Sequence, residues 1–242
     1  MHSAAEVLEF WFGRGPWDAA RLAERSAFWF GGDDPAATAA HDAAVREKLE
    51  PLLELAARGE FASWAASPRR RLALIILFDQ VPRNAYRGTA AAFAFDREAL
   101  SLTVEGMHLA ADAALEPLER LFFYLPLEHA ESLEAQETAV ASLERLASDA
   151  PEHLREYCKY CAGFARGHRD IIAKFGRFPH RNAVLGREST AAEIEWLAAE
   201  GARPGTTRLV GDVGLDEAPR DGWKFRLYTF LQRVYRRHRL VK

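Results

Sequence analysis

Three polar strings in this chain carry side chains able to move protons or hold anions. They are Asp79-Gln80-Val81-Pro82-Arg83-Asn84-Ala85-Tyr86-Arg87, Leu127-Glu128-His129, and His168-Arg169-Asp170 running into Arg177-Phe178-Pro179-His180-Arg181-Asn182 and on to Arg187. Pro-Arg-Asn at 82–84 and Pro-His-Arg-Asn at 179–182 share a design, each following an apolar helical segment. If the two helix ends are neighbours, Arg83, Arg87, Arg177, His180, Arg181 and Arg187 gather around Asp79, Glu128 and His129. Such a group offers many planar guanidinium donors against few carboxylates, the composition that recognises carboxylate or phosphate. Asn84 and Asn182 then orient a ligand or cap their own turns.

Two other readings compete with an anion pocket. Arginine and aspartate between helices also latch loops together, and a buried Asp79 needs Arg83 or Arg87 simply to be satisfied. Alternatively, Glu128 with His129, His168 or His180 forms an acid–base group, because histidine titrates near neutrality and a carboxylate fixes its tautomer. No nucleophile-elbow, His-Glu-x-x-His, phosphate-loop or dinucleotide fingerprint occurs, so the sequence names no cofactor.

Metal readings fail on ligand count. Glu105-Gly106-Met107-His108 is a single Glu-x-x-His where di-iron bundles use two. Cys158 and Cys161 with His168 make an incomplete zinc set, and cysteine at helical spacing is expected to be core. His41-Asp42 lacks the further His and Asp of a metal phosphohydrolase, and no metal site is expected.

The elements that must position these groups read as helices throughout. Apolar residues recur at i, i+3, i+4 and i+7, and period-2 runs of β-branched residues are nearly absent. Start signals are frequent: Ser3 with Glu6, Asp18, Asp34-Pro35, Ser67-Pro68, Asp96, Pro117, Pro126, Pro151, and Thr190 with Glu193. Pro51 should kink or split its helix, and Pro82 should end the apolar helix before it. The expected class is all-α, with antiparallel helix pairs in a tetratricopeptide-like or α-solenoid-like bundle.

The 242 residues are 49% hydrophobic and 28% charged, the balance of a globular chain with a sizeable core. A formal charge of −3 does not point to nucleic acid. Two cysteines cannot build a disulfide framework, which favours a reducing, cytoplasmic setting. No apolar run approaches the roughly 20 residues of a membrane span, and Met1 to Phe10 has no basic stretch of a secretory leader. Residues 1–201 read as one helical domain and 202–222 as an irregular connection. Residues 223–242 read as a basic amphipathic helix with seven Lys/Arg from Lys224 onward, expected to dock on the body, with an anionic membrane surface, nucleic acid or a protein partner's groove as alternatives.

The longer stretches around these strings, Leu77–Gly88, Phe122–His129 and His168–Ile172 running into Phe175–Asn182, together with Val7-Leu8-Glu9-Phe10-Trp11-Phe12-Gly13 and Leu185-Gly186-Arg187-Glu188-Ser189-Thr190, closely resemble the bacterial family catalogued as domain of unknown function 924. The resemblance runs over roughly residues 3 to 201, in order and spacing. It implies an all-α fold similar to tetratricopeptide-like arrays, and no established reaction. The leading expectation is a pocket for a small anionic ligand contacted by Asp79, Arg83, Asn84, Arg87, Arg177, Arg181, Asn182 and Arg187. An enzyme using His129, His168, His180 and Glu128 in the same pocket is the alternative, and a protein-interaction scaffold the third.

Overall fold

The computed structural model describes residues 3–30 and 34–200, and the connection and basic helix expected beyond 201 lie outside them. Among the described residues the chain is all-α. Its helices are α1 (Ala4–Phe12), α2 (Ala19–Phe30), α3 (Pro35–Ala57), α4 (Pro68–Ile75), α5 (Val81–Ala85), α6 (Asp96–His108), α7 (Pro117–His129), α8 (Leu133–Asp149), α9 (Glu152–Phe175) and α10 (Ala191–Glu200). Short 3-10 turns link several of them.

Local chemistry sets most of the starts. Ser3 and Glu6 close a capping box on α1, and Thr190 and Glu193 exchange the same pair of bonds at α10. Asp18 accepts from the Arg21 amide and Asp34 from the Ala36 amide. Helix α9 stops at Gly176, whose φ of 71° lies in the left-handed region that a side chain would oppose.

Pro82 and Pro126 behave differently from expectation, and Pro51 does not split its helix. Pro51 neither ends nor divides α3, which stays helical to Ala57 while Val45, Leu49, Leu52, Leu53 and Ala56 bury one face. Core packing outweighs the lost hydrogen bond there. Pro82 does not end its helix either. The backbone widens into a π-helical turn at Ile76–Gln80, where the Val81 amide bonds the Ile76 carbonyl, and then continues as α5. That turn absorbs the missing proline donor, and the Asn84 side chain caps the Gln80 carbonyl at 2.9 Å. Pro126 lies inside α7, which runs on to His129; α8 starts instead behind Ser132, whose hydroxyl accepts from the Ala135 amide. Glu128 and His129 therefore close one helix rather than open the next.

Helices α8 and α9, joined through Ala150 and Pro151, pack as an antiparallel hairpin, with α7 against both. The core under α7 is aromatic. Trp11, Phe12 and Trp29 all meet Phe122 in edge-to-face contacts, with centroids 4.7 to 5.7 Å apart. Arg71 is buried beside α6, donating to the Leu102 carbonyl and to Glu105 at 2.9 Å each. Glu105 is thereby an arginine partner. Among the described residues, no three His, Cys, Asp or Glu cluster closely enough to hold a metal ion. Cys158 and Cys161 are free and buried in the core. Burial pushes the Cys158 thiol up to about 11 and Cys161 well above its ordinary value, so neither is a ready nucleophile.

Candidate functional site

The C-terminal turn of α7 places two adjacent residues against two different partners. His129 Nδ1 lies 2.7 Å from Asp79 Oδ1, on the π-helical turn before α5. Glu128 Oε2 lies 3.2 Å from Nδ1 of His168, on α9. Adjacent helical residues point about 100° apart, and here that divergence serves two neighbours at once. Asp79 and Glu128 are buried, whereas the two imidazoles keep 17% and 19% of their side-chain surface. In each pair Nδ1 faces the carboxylate, and Nε2 has no protein partner among the described residues.

Electrostatics fix the state of the first pair. Burial pushes the Asp79 carboxyl up, but the charges of Arg83 and His129 and hydrogen bonds from His129 and Gln80 outweigh it and hold the group down at about 2. Burial, followed by the Arg83 charge, keeps His129 below the ordinary histidine value. At neutral pH the pair is an Asp79 carboxylate and a neutral His129 that donates its Nδ1 proton and presents a bare Nε2. Gln136 supports the turn from α8, donating to the carbonyls of Glu128 at 2.7 Å and Ala130 at 2.8 Å.

Two arginines close the far side. Arg83 Nη1 reaches the Asp79 carbonyl at 2.7 Å, Asp79 Oδ1 at 3.1 Å and Asp96 Oδ1 at 2.8 Å. Arg181 is buried between two phenyl rings, 4.7 Å from the centroid of Phe93 and 4.4 Å from that of Phe178. It donates to the His129 carbonyl at 3.0 Å and pairs with Asp96 Oδ2 at 3.5 Å. Burial and the neighbouring Arg83 lower it to about 10, which still leaves it charged at neutral pH. Arg83 Nη2 and Arg181 Nε are buried with no acceptor among the described residues.

Phe178 lies against His168, His180 and Arg181. His168 meets its edge at 5.5 Å and His180 sits at the same distance. Burial, then the charges of Arg181 and His168, hold His180 down at about 3, so it is neutral and its Nδ1 is unpartnered. The geometry thus gathers Asp79, Arg83, Glu128, His129, His168, His180 and Arg181.

The other expected residues have separate work. Arg87 grips Asp42 of α3 through two bonds of 2.7 and 2.8 Å and also reaches Asn84, which caps its own turn. Arg177 grips Glu193 of α10 at 2.7 and 2.8 Å, and Asn182 donates to Ser189. Arg187 grips Glu131 at 2.6 and 2.9 Å, and Glu131 also accepts from the Phe178 amide. The Arg177 and Arg187 forks pin the 178–190 segment and so set the position of Arg181, whereas the Arg87 fork ties the turn after α5 to α3. The expected excess of guanidinium over carboxylate is smaller than the strings suggest, because Asp42, Asp96, Glu131 and Glu193 answer them. Asp96 carried a signal only as a helix start, and Phe93 and Gln136 carried none.

The comparisons with known proteins agree with this architecture without naming a reaction. No curated protein matches the chain. The solved structure of a protein of unknown function, ATU0120 from Agrobacterium tumefaciens, is similar at 35% identity, with a TM-score of 0.64, over 81% of this chain and 97% of that one. The family model described as "Bacterial protein of unknown function (DUF924)" matches residues 7–201, a span that holds both histidine–carboxylate pairs and every latch around them. The chain belongs to that family.

Proposed function

We propose that the end of α7 is an acid–base catalytic site acting on a small anionic molecule. The observation that carries the reading is the doubled arrangement of buried carboxylate, Nδ1-bound imidazole and open Nε2 in Asp79–His129 and Glu128–His168. A buried carboxylate holds the ring and its tautomer, so that the opposite nitrogen is a base of fixed direction. His129, neutral at pH 7, would accept a proton from a substrate hydroxyl or from water. Asp79 would stabilise the imidazolium that forms. Anion recognition rests on Arg83 and Arg181, whose buried N–H groups lack protein acceptors. The reading draws on no cofactor or metal.

The test has two arms. Nitrogen-15 NMR of histidine-labelled protein should show His129 as the Nδ1–H tautomer at pH 7; an imidazolium at that pH would overturn its role as base. A panel of nitrophenyl esters and phosphates should then reveal turnover that falls about 100-fold or more in His129→Gln, the size expected for a lost acid–base group.

A second reading, a tetratricopeptide-like interaction scaffold, is favoured by the three two-bonded forks at Arg87, Arg177 and Arg187, which need no ligand to explain them. It accounts for those three. It gives no reason for two imidazoles held with their outer nitrogens open.

A further inference from the structure

We infer that the anion taken at the Asp79–His129 site is the carboxylate of a small hydroxy acid rather than a phosphate group. The inference rests on the acid–base reading of that site and names the class of its substrate.

Charge limits the ligand first. Arg83 Nη2 and Arg181 Nε are buried without an acceptor among the described residues, yet neither guanidinium is a free cation. Arg83 pairs with Asp79 at 3.1 Å and with Asp96 at 2.8 Å, and Arg181 pairs with the other oxygen of Asp96 at 3.5 Å. Two positive charges are thus already answered by two negative ones, and Glu128 adds a third carboxylate opposite His168. A phosphate ester carries about 1.5 to 2 negative charges at neutral pH, and would bring them against these carboxylates with no surplus guanidinium to meet them. A carboxylate brings one charge and still accepts from both unpaired donors.

Shape selects the same group. The Arg181 guanidinium is packed between Phe93 and Phe178, at 4.7 and 4.4 Å, so a ligand reaches it along its edge, where Nε is unpaired. A planar carboxylate lies in the plane of that edge. A tetrahedral phosphate would turn its out-of-plane oxygens toward the apolar rings, away from any donor.

The hydroxyl follows from His129. Asp79 Oδ1 accepts from His129 Nδ1 at 2.7 Å and from Arg83 Nη1 at 3.1 Å. An imidazole and a guanidinium that share one oxygen stand side by side, so a ligand that meets both is short. The bare Nε2 of His129 accepts from a hydroxyl, while Arg83 and Arg181 donate to a carboxylate one or two carbons away.

Titration of the histidine-labelled full chain at pH 8 and matched ionic strength, followed by nitrogen-15 NMR, tests this with glycolate, acetate and methyl phosphate. Glycolate is expected to shift the His129 Nε2 signal saturably. It should bind about tenfold or more tighter than methyl phosphate, from charge, and about fivefold tighter than acetate, from one hydrogen bond. Methyl phosphate binding as tightly as glycolate at the same signal would overturn the carboxylate and leave the acid–base site standing. Acetate matching glycolate would overturn the hydroxy acid, and glycolate that leaves the His129 signal unmoved would overturn the inference as a whole. Glycolate binding as expected, in a protein whose His129→Gln variant keeps full turnover on the ester and phosphate panel, would uphold the carboxylate and overturn the catalytic reading instead.

Discussion

His129 Nδ1 and Asp79 Oδ1 meet at 2.7 Å across 50 residues of sequence, one at the last turn of α7 and the other on the π-helical turn before α5. Their bond joins two helix ends that share no local signal. It also leaves Asp79 ionised while fully buried, a state sustained by the Arg83 charge together with His129 and the Gln80 hydrogen bond. Asp79→Asn removes the charge that Arg83 and the His129 Nδ1 proton answer, and leaves Arg83 with Asp96 as its remaining carboxylate. The expected loss is about 3 kcal/mol or more, the cost of breaking a buried ion pair from one side. Equilibrium urea unfolding measures it, and a change below about 1 kcal/mol would mean that water screens this carboxylate despite its burial.

Gly106 is where α6 comes closest to its neighbours. A Cβ at that position would lie 2.6 Å from Cζ of Phe123 and 2.7 Å from Cδ of Arg71, while the helix around it is otherwise ordinary. Alanine has the higher helix propensity, so an open helix position would gain stability from the exchange. Here overpacking should win. Gly106→Ala is expected to destabilise by about 1–3 kcal/mol and to disturb Arg71, seen as a shifted melting temperature. A neutral or stabilising result would show that Phe123 and Arg71 yield at little cost.

The sequence made visible what neighbours in the chain decide. Ser3 with Glu6, Asp34-Pro35 and Thr190 with Glu193 were readable as starts because each cap is completed within three residues. The prolines were not, since Pro51 and Pro82 interrupt a helix, and Pro126 opens one, only when tertiary packing fails to outweigh a missing donor, and here α3, the π-helical turn and α7 are each held by a buried face. The strings at 79–87, 128–129 and 168–187 named the polar residues that meet. Their partners were beyond reach, because Arg87 finds Asp42 over 45 residues and Arg187 finds Glu131 over 56. Without those distances, an arginine that latches and one that waits for an anion look alike.

Acid should weaken the fold before it touches the carboxylates. His180 is held at about 3 against an ordinary value of 6.5, and His129 is lowered in the same direction. The unfolded chain takes up these protons first, so the contribution of each histidine is complete above about pH 6.5 and declines as pH falls toward the folded value. Asp79, held at about 2 against 3.8, adds its loss only below about pH 4. Melting temperature should therefore fall between pH 6.5 and 4.5, and His180→Phe should flatten that slope. An unchanged slope in the variant would place the buried proton-sensitive group elsewhere.

Arg181 and Arg87 separate the buried latch from the surface one. Both are charged and both have carboxylate partners, but Arg181 keeps 8% of its side-chain surface and Arg87 keeps 51%. Arg87→Ala breaks a two-bonded fork that water already screens, and the expected cost is about 1 kcal/mol or less. Arg181→Ala removes the group stacked between Phe93 and Phe178, leaves the His129 carbonyl without its donor, and leaves Asp96 with Arg83 alone. The expected cost is about 3 kcal/mol, since lost packing and unsatisfied buried groups add. Arg181→Lys discriminates further, because an ammonium keeps the charge but cannot stack as a plane or span the carbonyl and Asp96 together. If lysine restores stability while anion binding, followed with inorganic phosphate, stays lost, the guanidinium geometry serves the ligand. If lysine restores both, the positive charge alone is what this position requires.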